Sequence, residues 1–269
     1  MGLFQEIRRL REEMSATSEQ RLARVRGLYL NLLKLCLTNL IYGDGNILHG
    51  VQQPYDARLR VDGRDWPARA HTMIGFKRLD NIHFCVEDVL RRRVPGDLME
   101  TGVWRGGAVI FMRAILEAYG VTDRTVWAAD SFEGLPPPNA DKYPLDRGLN
   151  FDQFKDLAVS VEEVRDNFSR YDLLDEQVRF LKGWFRDTLP QAPVERLAVL
   201  RLDGDLYEST MDALNPLYPK LEKGGYCIID DYQDIAACRQ AVDDYRSSHD
   251  IDDEVLPVDW SAVYWKKTH

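Results

Sequence analysis

The stretch Gly96-Asp-Leu-Met-Glu-Thr-Gly-Val-Trp-Arg-Gly-Gly107 decides the fold of this chain of 269 residues. Its residues 98–101 read as a short strand, three glycines follow, and an apolar helical pattern begins at Ala108. Glycines permit positive φ angles and close backbone approach, and the first turn of a helix has free N–H groups. The order of strand, glycine turn and helix therefore predicts a βα unit able to hold a nucleotide or another small polar cofactor, although similar turns close βα units that bind nothing.

Length and composition indicate one large α/β domain or two small ones. The net charge of −9 and the pI near 5.1 argue against a nucleic-acid or anionic-membrane surface, so we expect a small-molecule partner. The four cysteines form no CxxC motif and read as reduced core residues. No run reaches the roughly 18 apolar residues of a membrane helix, and charges stand where a signal peptide would be apolar, so we expect a cytoplasmic protein.

A regular alternation of strands and helices begins at the opening stretch and is typical of βαβ units. The strand-like runs are Leu98–Thr101, Val126–Asp130, Val178–Lys182, Ala198–Asp203 and Tyr226–Asp230. Helical patterns lie near 108–119, 161–170 and 208–221. A final pair of strands, at 254–259 and 262–266, is joined by so few residues that it must be antiparallel. We therefore predict an α/β fold with a doubly wound, mostly parallel sheet and one reversed strand.

The first 71 residues have a different pattern. Residues 3 to about 40 carry helical periodicity, and residues 41–71 form a long irregular connection of a length often used for lids or binding elements. Residue 72 then leads into a helix that ends near Arg93. We expect two parts, an N-terminal helical and loop segment at 1–71 that covers the ligand site and a ligand-binding α/β domain at 72–269.

Polar residues follow the strands of the predicted sheet, at the edge where doubly wound folds bind ligands. Asp130 ends the second strand, where an acid can accept hydrogen bonds from the ribose hydroxyls of a nucleoside. The segment Asp130-Ser-Phe-Glu-Gly134 is also typical of a turn, so the alternative is that Asp130 caps a helix or stabilises that turn.

A second group of acids ends the fourth and fifth strands, and it consists of Asp203, Asp205, Asp230 and Asp231. In an extended segment residues i and i+2 point to one side, which would place Asp203 and Asp205 together. Four carboxylates in one small volume require a compensating cation, and a donor set made only of oxygen suits Mg²⁺, Mn²⁺ or Ca²⁺. The alternative is a set of acids solvated at the strand ends.

The sequence lacks the usual motifs of acyl and phosphoryl transfer. There is no GxSxG motif, no P-loop, and no histidine beside a Ser or Cys that has the signature of a nucleophile. An NAD-dependent oxidoreductase would share the glycine turn and the ribose acid but would leave the four aspartates unexplained. A metal-dependent glycosyltransferase could use the DxD form of Asp203-Gly-Asp205, but it would not explain the glycine turn.

Five blocks together resemble the macrocin O-methyltransferase family: Glu100–Gly107, Asp130–Pro136, Lys182–Pro190, Leu202–Thr210 and Gly224–Tyr232. Members are class I, Mg²⁺-requiring enzymes that transfer a methyl group from S-adenosylmethionine to sugar hydroxyls of antibiotics and related natural products. The resemblance covers residues 72–269 well. It implies a Rossmann-like sheet of seven strands, an N-terminal helical segment that covers the site, and a homo-oligomer, with no role for nucleic acid or membrane.

The resemblance also implies roles for individual residues. The methionine and ribose parts of the donor would be lined by Glu100, Thr101, Gly102, Val103, Trp104, Arg105 and Gly106, with Asp130 on the ribose. The adenine would be bordered by Ser131, Phe132, Gly183 and Trp184, and Met73 would approach the donor from the N-terminal side. Asp203, Asp230 and Asp231 match the metal ligands, and Asp205 matches the general base.

The implied reaction is chemically coherent. Coordination to Mg²⁺ lowers the pKa of a sugar hydroxyl, and a nearby carboxylate takes its proton. The sulfonium methyl group requires in-line attack at about 3 Å, so positioning both substrates supplies much of the acceleration. Two vicinal hydroxyls can chelate the metal together, which would select a sugar diol as the acceptor.

Overall fold

One seven-stranded sheet forms the centre of the computed structural model, which describes residues 3–47 and 51–269, with side chains from residue 17 onward. In chain order the strands are β1 (Asp97–Thr101), β2 (Val126–Asp130), β3 (Val178–Lys182), β4 (Leu197–Leu202), β5 (Leu221–Ile229), β6 (Leu256–Pro257) and β7 (Val263–Lys266). Across the sheet they run in the order β3-β2-β1-β4-β5-β7-β6. Among these strands β7 alone runs in the opposite direction, which confirms the predicted mostly parallel sheet with one reversed strand.

Eight described α-helices surround the sheet. They are α1 (Leu3–Leu37), α2 (Ala57–Asp62), α3 (Gly75–Arg91), α4 (Gly107–Ala118), α5 (Val161–Arg170), α6 (Phe185–Thr188), α7 (Tyr207–Leu217) and α8 (Ala236–Ser248). The sequence predicted α5 at its observed bounds. The helical pattern predicted near 208–221 is longer than α7, because Pro216 and Pro219 interrupt the helical hydrogen bonds. Its last residues form a 3₁₀ turn and the first residue of β5. Helix α8 was not predicted, although its buried residues 237, 238, 241, 242 and 245 have helical spacing.

The central strands β1, β2 and β4 are largely apolar on both faces because helices cover both. Side chains from one face, such as Leu98 and Val199, pack with α1, α3, α4 and α5. Side chains from the other face, such as Met99 and Leu200, pack with α7 and α8. The chain changes direction across the sheet between β1 and β4, and a doubly wound fold opens a crevice at this point, beyond the carboxyl ends of the strands.

The N-terminal segment packs against this domain. Leu30, Leu33 and Leu37 of α1 are buried in the same core as α4. The connection after α1 includes α2, whose Arg60 is fully buried between Asp44 (2.7 Å) and Asp65 (2.8 Å). This ion-paired centre fixes the loop that follows α2 next to the crevice. Residues 1–2 and 48–50 of the segment predicted at 1–71 lie outside the described residues.

No helix in the described part of the chain combines the length and apolar character needed to cross a membrane.

Candidate active site

A cavity of about 450 Å³ lies at the carboxyl ends of the parallel strands, and residues 63–66 and 71–74 of the N-terminal side form part of its wall. Most of the residues that the sequence predicted for the site line this cavity. They are Met73, Glu100, Gly102, Val103, Trp104, Asp130, Ser131, Trp184, Asp203, Asp205, Asp230 and Asp231.

Five predicted residues do not line the cavity, namely Thr101, Arg105, Gly106, Phe132 and Gly183. Two of them hold its wall in place. The guanidinium of Arg105 donates to the carbonyl oxygens of Pro67 (2.9 Å) and Ala70 (3.0 Å), and the N–H of Gly183 donates to the carbonyl of Asp130 (2.9 Å). These contacts tie the glycine turn to the N-terminal segment and β3 to β2.

The glycine turn is shaped by contacts within the protein. Gly102 has a φ of +86°, and a Cβ atom there would overlap the backbone carbonyl of Asp203. A Cβ at Gly107 would come within 2.5 Å of the carbonyl oxygen of His71, which accepts the Gly107 N–H at 2.8 Å. The turn after β1 is therefore in direct contact with the end of β4, so the predicted donor and metal regions share a backbone contact.

Asp130 organises this turn from the neighbouring strand. Its carboxylate accepts the backbone N–H groups of Val103 (2.6 Å) and Phe132 (2.7 Å). Burial raises the pKa of Asp130 by more than these hydrogen bonds lower it. The turn role that the sequence left as an alternative is thus present, while the carboxylate also lines the cavity and retains lone pairs for a ligand.

The three aspartates predicted as metal ligands come together. Asp203, Asp230 and Asp231 each offer a carboxylate oxygen, and these oxygens lie within 4.8 Å of one another. Asp203 follows β4, and Asp230 and Asp231 follow β5, so adjacent parallel strands bring them to one edge. Carboxylate oxygens grouped in this way match the ligand preference of Mg²⁺.

Asp205 reaches the cavity by a different route from the predicted one. The sequence placed Asp203 and Asp205 on one side of an extended segment, but Asp205 has a left-handed φ of +58° and the chain turns there. The turn brings the Asp205 N–H to the Asp231 carboxylate at 3.3 Å. Asp205 therefore lies beside the three aspartates because of a turn, not because of strand periodicity.

Two arginines that sequence reasoning missed compensate the acids. Arg201 is fully buried, and its guanidinium binds Glu100, Asp203 and Asp230. Arg78 of α3 binds the second oxygen of Asp230 and also Asp259 (3.0 Å). Asp230 is thus held between two guanidiniums, which fixes the orientation of its carboxylate.

Strand geometry explains how Arg201 comes to be there. Arg201 pairs in register with Glu100 on β1 and with Ile228 on β5. Because side chains alternate along a strand, Asp203 and Asp230, two residues after Arg201 and Ile228, start from the same face of the sheet. The signal in the sequence is an arginine inside a strand that is otherwise apolar, at Leu197–Leu202.

The pKa values of the acids reflect burial against incomplete compensation. Burial, followed by the charge of Asp230, raises the pKa of Asp203 to about 6. Burial, followed by Asp203 and Asp230, raises the pKa of Asp205 to about 8, and the pKa of Asp231 is also raised, by burial and then by Asp205. Asp230 is the exception, because Arg201 and Arg78 outweigh its burial and lower its pKa. The negative charge of the four aspartates is therefore not fully compensated, and a bound cation would stabilise their ionised forms.

Glu100 lies on the donor side of the same network. Burial raises its pKa to about 8 against the opposing effect of Arg201. One oxygen, Oε1, accepts from Arg201, and the buried Oε2 has no hydrogen-bond partner among the described residues. This oxygen is a free acceptor for a cationic or hydrogen-donating ligand group in the cavity.

His71 and Asp146 are further residues that the sequence did not identify. His71 lines the cavity, its Nδ1 lies 2.7 Å from the hydroxyl of Tyr171, and burial followed by nearby arginines lowers its pKa to about 4. Asp146, in the loop after β2, is fully buried and accepts the N–H groups of Tyr207 (2.7 Å) and Glu208 (3.2 Å). Asp146 thereby caps α7 and attaches the loop at 136–150 to the helix that follows Asp205.

The fold and this cavity are those of a class I methyltransferase. A family model described as Macrocin-O-methyltransferase (TylF) matches residues 26–267. The chain therefore belongs to the macrocin O-methyltransferase family, as the sequence blocks indicated, and is an O-methyltransferase of the S-adenosylmethionine-dependent class.

Similar proteins agree with this assignment. Demethyldecarbamoylnovobiocin O-methyltransferase of Streptomyces niveus is 57% identical over 246 residues, which cover 90% of this chain and 94% of that protein. The 8-demethyl-8-(2,3-dimethoxy-alpha-L-rhamnosyl)-tetracenomycin-C 4'-O-methyltransferase of Streptomyces olivaceus is 58% identical over 246 residues, with the same coverage. The solved structure of the O-methyltransferase NovP has a TM-score of 0.87 and 56% identity, covering 91% of this chain and 100% of NovP.

Proposed function

We propose that this protein transfers the methyl group of S-adenosylmethionine to a sugar hydroxyl in antibiotic biosynthesis, with Mg²⁺ as a second cofactor. The observation that carries the proposal is the convergence of Asp203, Asp230 and Asp231 in the cavity that the glycine turn also lines. By their names, the relatives from Streptomyces niveus and Streptomyces olivaceus act on demethyldecarbamoylnovobiocin and on a tetracenomycin that carries a rhamnosyl group, and the second name supports a sugar acceptor for this chain.

The donor would occupy the part of the cavity bounded by the ends of β1, β2 and β3. Glu100, with its unpartnered Oε2, offers an acceptor for the donor's ammonium group. Asp130 offers its remaining lone pairs to the ribose, and Trp184 lines the end of the cavity where the adenine is proposed. Met73 covers the donor from the N-terminal wall, and the predicted residues outside the cavity support the turns.

The acceptor would lie beside the acidic residues. Asp203, Asp230 and Asp231 would hold Mg²⁺, which when bound lowers the pKa of a hydroxyl group. Arg78 and Arg201 fix the carboxylate of Asp230, so that this ligand is oriented before the metal binds. Asp205 would accept the hydroxyl proton, since it lines the cavity and its backbone N–H donates to Asp231, one of the proposed metal ligands.

The N-terminal segment is proposed to cover the site and to build a homo-oligomer. Residues 63–66 and 71–74 line the cavity, and α1 exposes Leu22, Val25, Leu28 and Leu32. An apolar stripe of this kind would be buried by a second copy of the chain. Four cysteines without disulfide bonds are consistent with the proposed cytoplasmic location.

Calorimetric titration tests the cofactors. We expect S-adenosylhomocysteine to bind at micromolar concentration, and NAD⁺ and UDP-glucose not to bind with or without MgCl₂. Mn²⁺, as a spectroscopic probe for the metal site, should bind the wild type in electron paramagnetic resonance titrations. Binding of UDP-glucose with Mn²⁺ in place of S-adenosylhomocysteine would favour the glycosyltransferase instead.

Variants separate the metal from the donor. Asp203→Asn and Asp231→Asn should abolish Mn²⁺ binding and methyl transfer to phenyl α-L-rhamnopyranoside, while S-adenosylhomocysteine binding stays within about threefold. Asp166→Asn, an exposed acid on α5, is the matched control. Equal loss of donor binding in the two site variants would show that the metal has been misplaced.

A further inference from the structure

Helix α7 carries two acids that the proposed chemistry does not use. Glu208 and Asp212 are four residues apart, so they lie on one face of the helix, and both line the cavity. The helix begins two residues after Asp205. The two residues therefore add to the acidic lining of the cavity next to the proposed base.

Glu208 is buried without a partner. Glu208 is only 8% exposed, and its carboxylate makes no hydrogen bond or ion pair within the part of the chain that the structure describes. Its backbone N–H is already taken by Asp146 at 3.2 Å, so the cap of the helix does not involve the side chain. The Glu208 carboxylate belongs to a residue that lines the cavity, so its oxygens can accept hydrogen bonds from a ligand there.

The carboxylate of Asp212 also has no ion-pair partner among the described residues. It is partly buried, and burial followed by the negative charge of Glu208 raises its pKa to about 6. The cations that face the pair are Lys142 and Arg186, both exposed, and neither forms an ion pair with it. Asp187 on α6 adds a further negative charge. The positive charges nearby are therefore too solvated to satisfy the pair.

We propose that Glu208 and Asp212 form an acceptor subsite that takes hydrogen bonds from sugar hydroxyls other than the one methylated, and that rejects anionic acceptors. The proposal rests on the proposed function, because it assumes that a sugar occupies this cavity. A carboxylate accepts hydrogen bonds from two neighbouring hydroxyls, which would satisfy Glu208. A phosphate group at the same place would meet two like charges in a partly buried environment.

The subsite constrains the reaction that supplies the acceptor. A sugar that still carries a phosphate or diphosphate close to its ring would bring negative charge to the pair. The preceding reaction must therefore deliver a sugar whose ring neighbourhood is uncharged.

A pair of matched sugars tests the proposal. Phenyl α-L-rhamnopyranoside and α-L-rhamnose 1-phosphate present the same ring hydroxyls and differ in charge at the anomeric position. In the wild-type enzyme with Mg²⁺ and S-adenosylmethionine, kcat/KM should be at least about tenfold higher for the phenyl glycoside, because the phosphate brings negative charge close to the two carboxylates. Methyl transfer is followed by mass spectrometry of the sugar.

The variants Glu208→Gln and Asp212→Asn keep the shape of the side chains and remove the charge. Each should bring the two kcat/KM values within about threefold, chiefly by raising the value for the phosphate, and Glu208→Gln should raise KM for the phenyl glycoside with little change in kcat. Asp166→Asn should leave the ratio unchanged. Thermal unfolding of each variant with S-adenosylhomocysteine bound checks that the fold is intact.

The outcomes separate the two proposals. If the wild type methylates neither sugar, the sugar acceptor of the proposed function fails and this subsite fails with it. If the wild type methylates both sugars equally, or if the ratio survives both substitutions, the subsite alone is refuted while the methyltransferase proposal stands.

Discussion

Arg201→Met is the substitution that tests the charge network most directly. Arg201 is 1% exposed and is shared by Glu100, Asp203 and Asp230. Removing one partner of a buried ion pair costs roughly 3–5 kcal/mol, because the remaining charges are left uncompensated. A domain is stable by only about 5–15 kcal/mol, so the loss is a large fraction of the total.

The size of the effect follows from which acids can take up a proton. Glu100 can do so easily, since burial already raises its pKa to about 8. Asp230 does so less readily, since Arg78 still binds it in the variant and lowers its pKa. We therefore expect a loss of about 3 kcal/mol at pH 8 and a clearly smaller loss at pH 5.5, because the carboxyls of the variant have higher pKa values and protonate as the pH falls.

Urea unfolding of the metal-free protein at the two pH values measures this loss, and the melting temperature should fall by roughly 6–12 °C at pH 8. Arg179→Met on β3 is the matched control, since that side chain is exposed and forms no ion pair among the described residues, and it should cost less than about 0.5 kcal/mol. A loss below about 1 kcal/mol for Arg201→Met, or an equal loss at pH 5.5 and pH 8, would refute the reasoning.

Three further predictions address single positions. In the metal-free protein the pKa of Asp205 is about 8 when folded and near 4 when unfolded, so its negative charge destabilises the fold increasingly as the pH rises. Asp205→Asn should therefore raise the melting temperature at pH 8 in EDTA and hardly change it at pH 4.5. Asp146→Ala removes the cap of α7 and should cost about 1–2 kcal/mol and speed tryptic cleavage in the loop at 136–150; unchanged cleavage would contradict the attachment. Gly102→Ala should abolish Mn²⁺ binding, because its Cβ overlaps the backbone of Asp203, whereas Gly148→Ala, with a similar φ of +88° but open space, should only lower stability slightly.

The arrangement of the sheet could be predicted because its signals are local. The strand Val126–Asp130 was predicted at its observed bounds, since its residues are apolar until the terminal acid and helices cover both faces. The short link between the last two strands fixed their antiparallel pairing. Helix α8 escaped prediction because its buried residues include small alanines and a cysteine, which form a weak apolar pattern within a charged segment.

The site could be predicted only in part, because its key contacts join residues distant in sequence. The acids could be identified from the sequence because they follow the ends of predicted strands. Arg201 lies 101 residues from Glu100 and 29 from Asp230, and its role depends on which strands are neighbours and in what register. Arg78 belongs to a helix outside the sheet, so nothing in its local sequence indicates that it reaches Asp230.

The balance of charge in the cavity connects its two halves. The positive groups are the guanidiniums of Arg78 and Arg201. The negative groups are Glu100 and the four aspartates at 203, 205, 230 and 231, so the site has an excess of negative charge when all of them are ionised. A divalent cation alone would remove most of this excess, and the sulfonium donor brings one further positive charge. Because Arg201 contacts both Glu100 and the aspartates, a cation bound on one side changes the electrostatic environment on the other. The affinities for donor and metal are therefore expected to be coupled, and thermodynamic linkage requires the coupling to be equal in both directions.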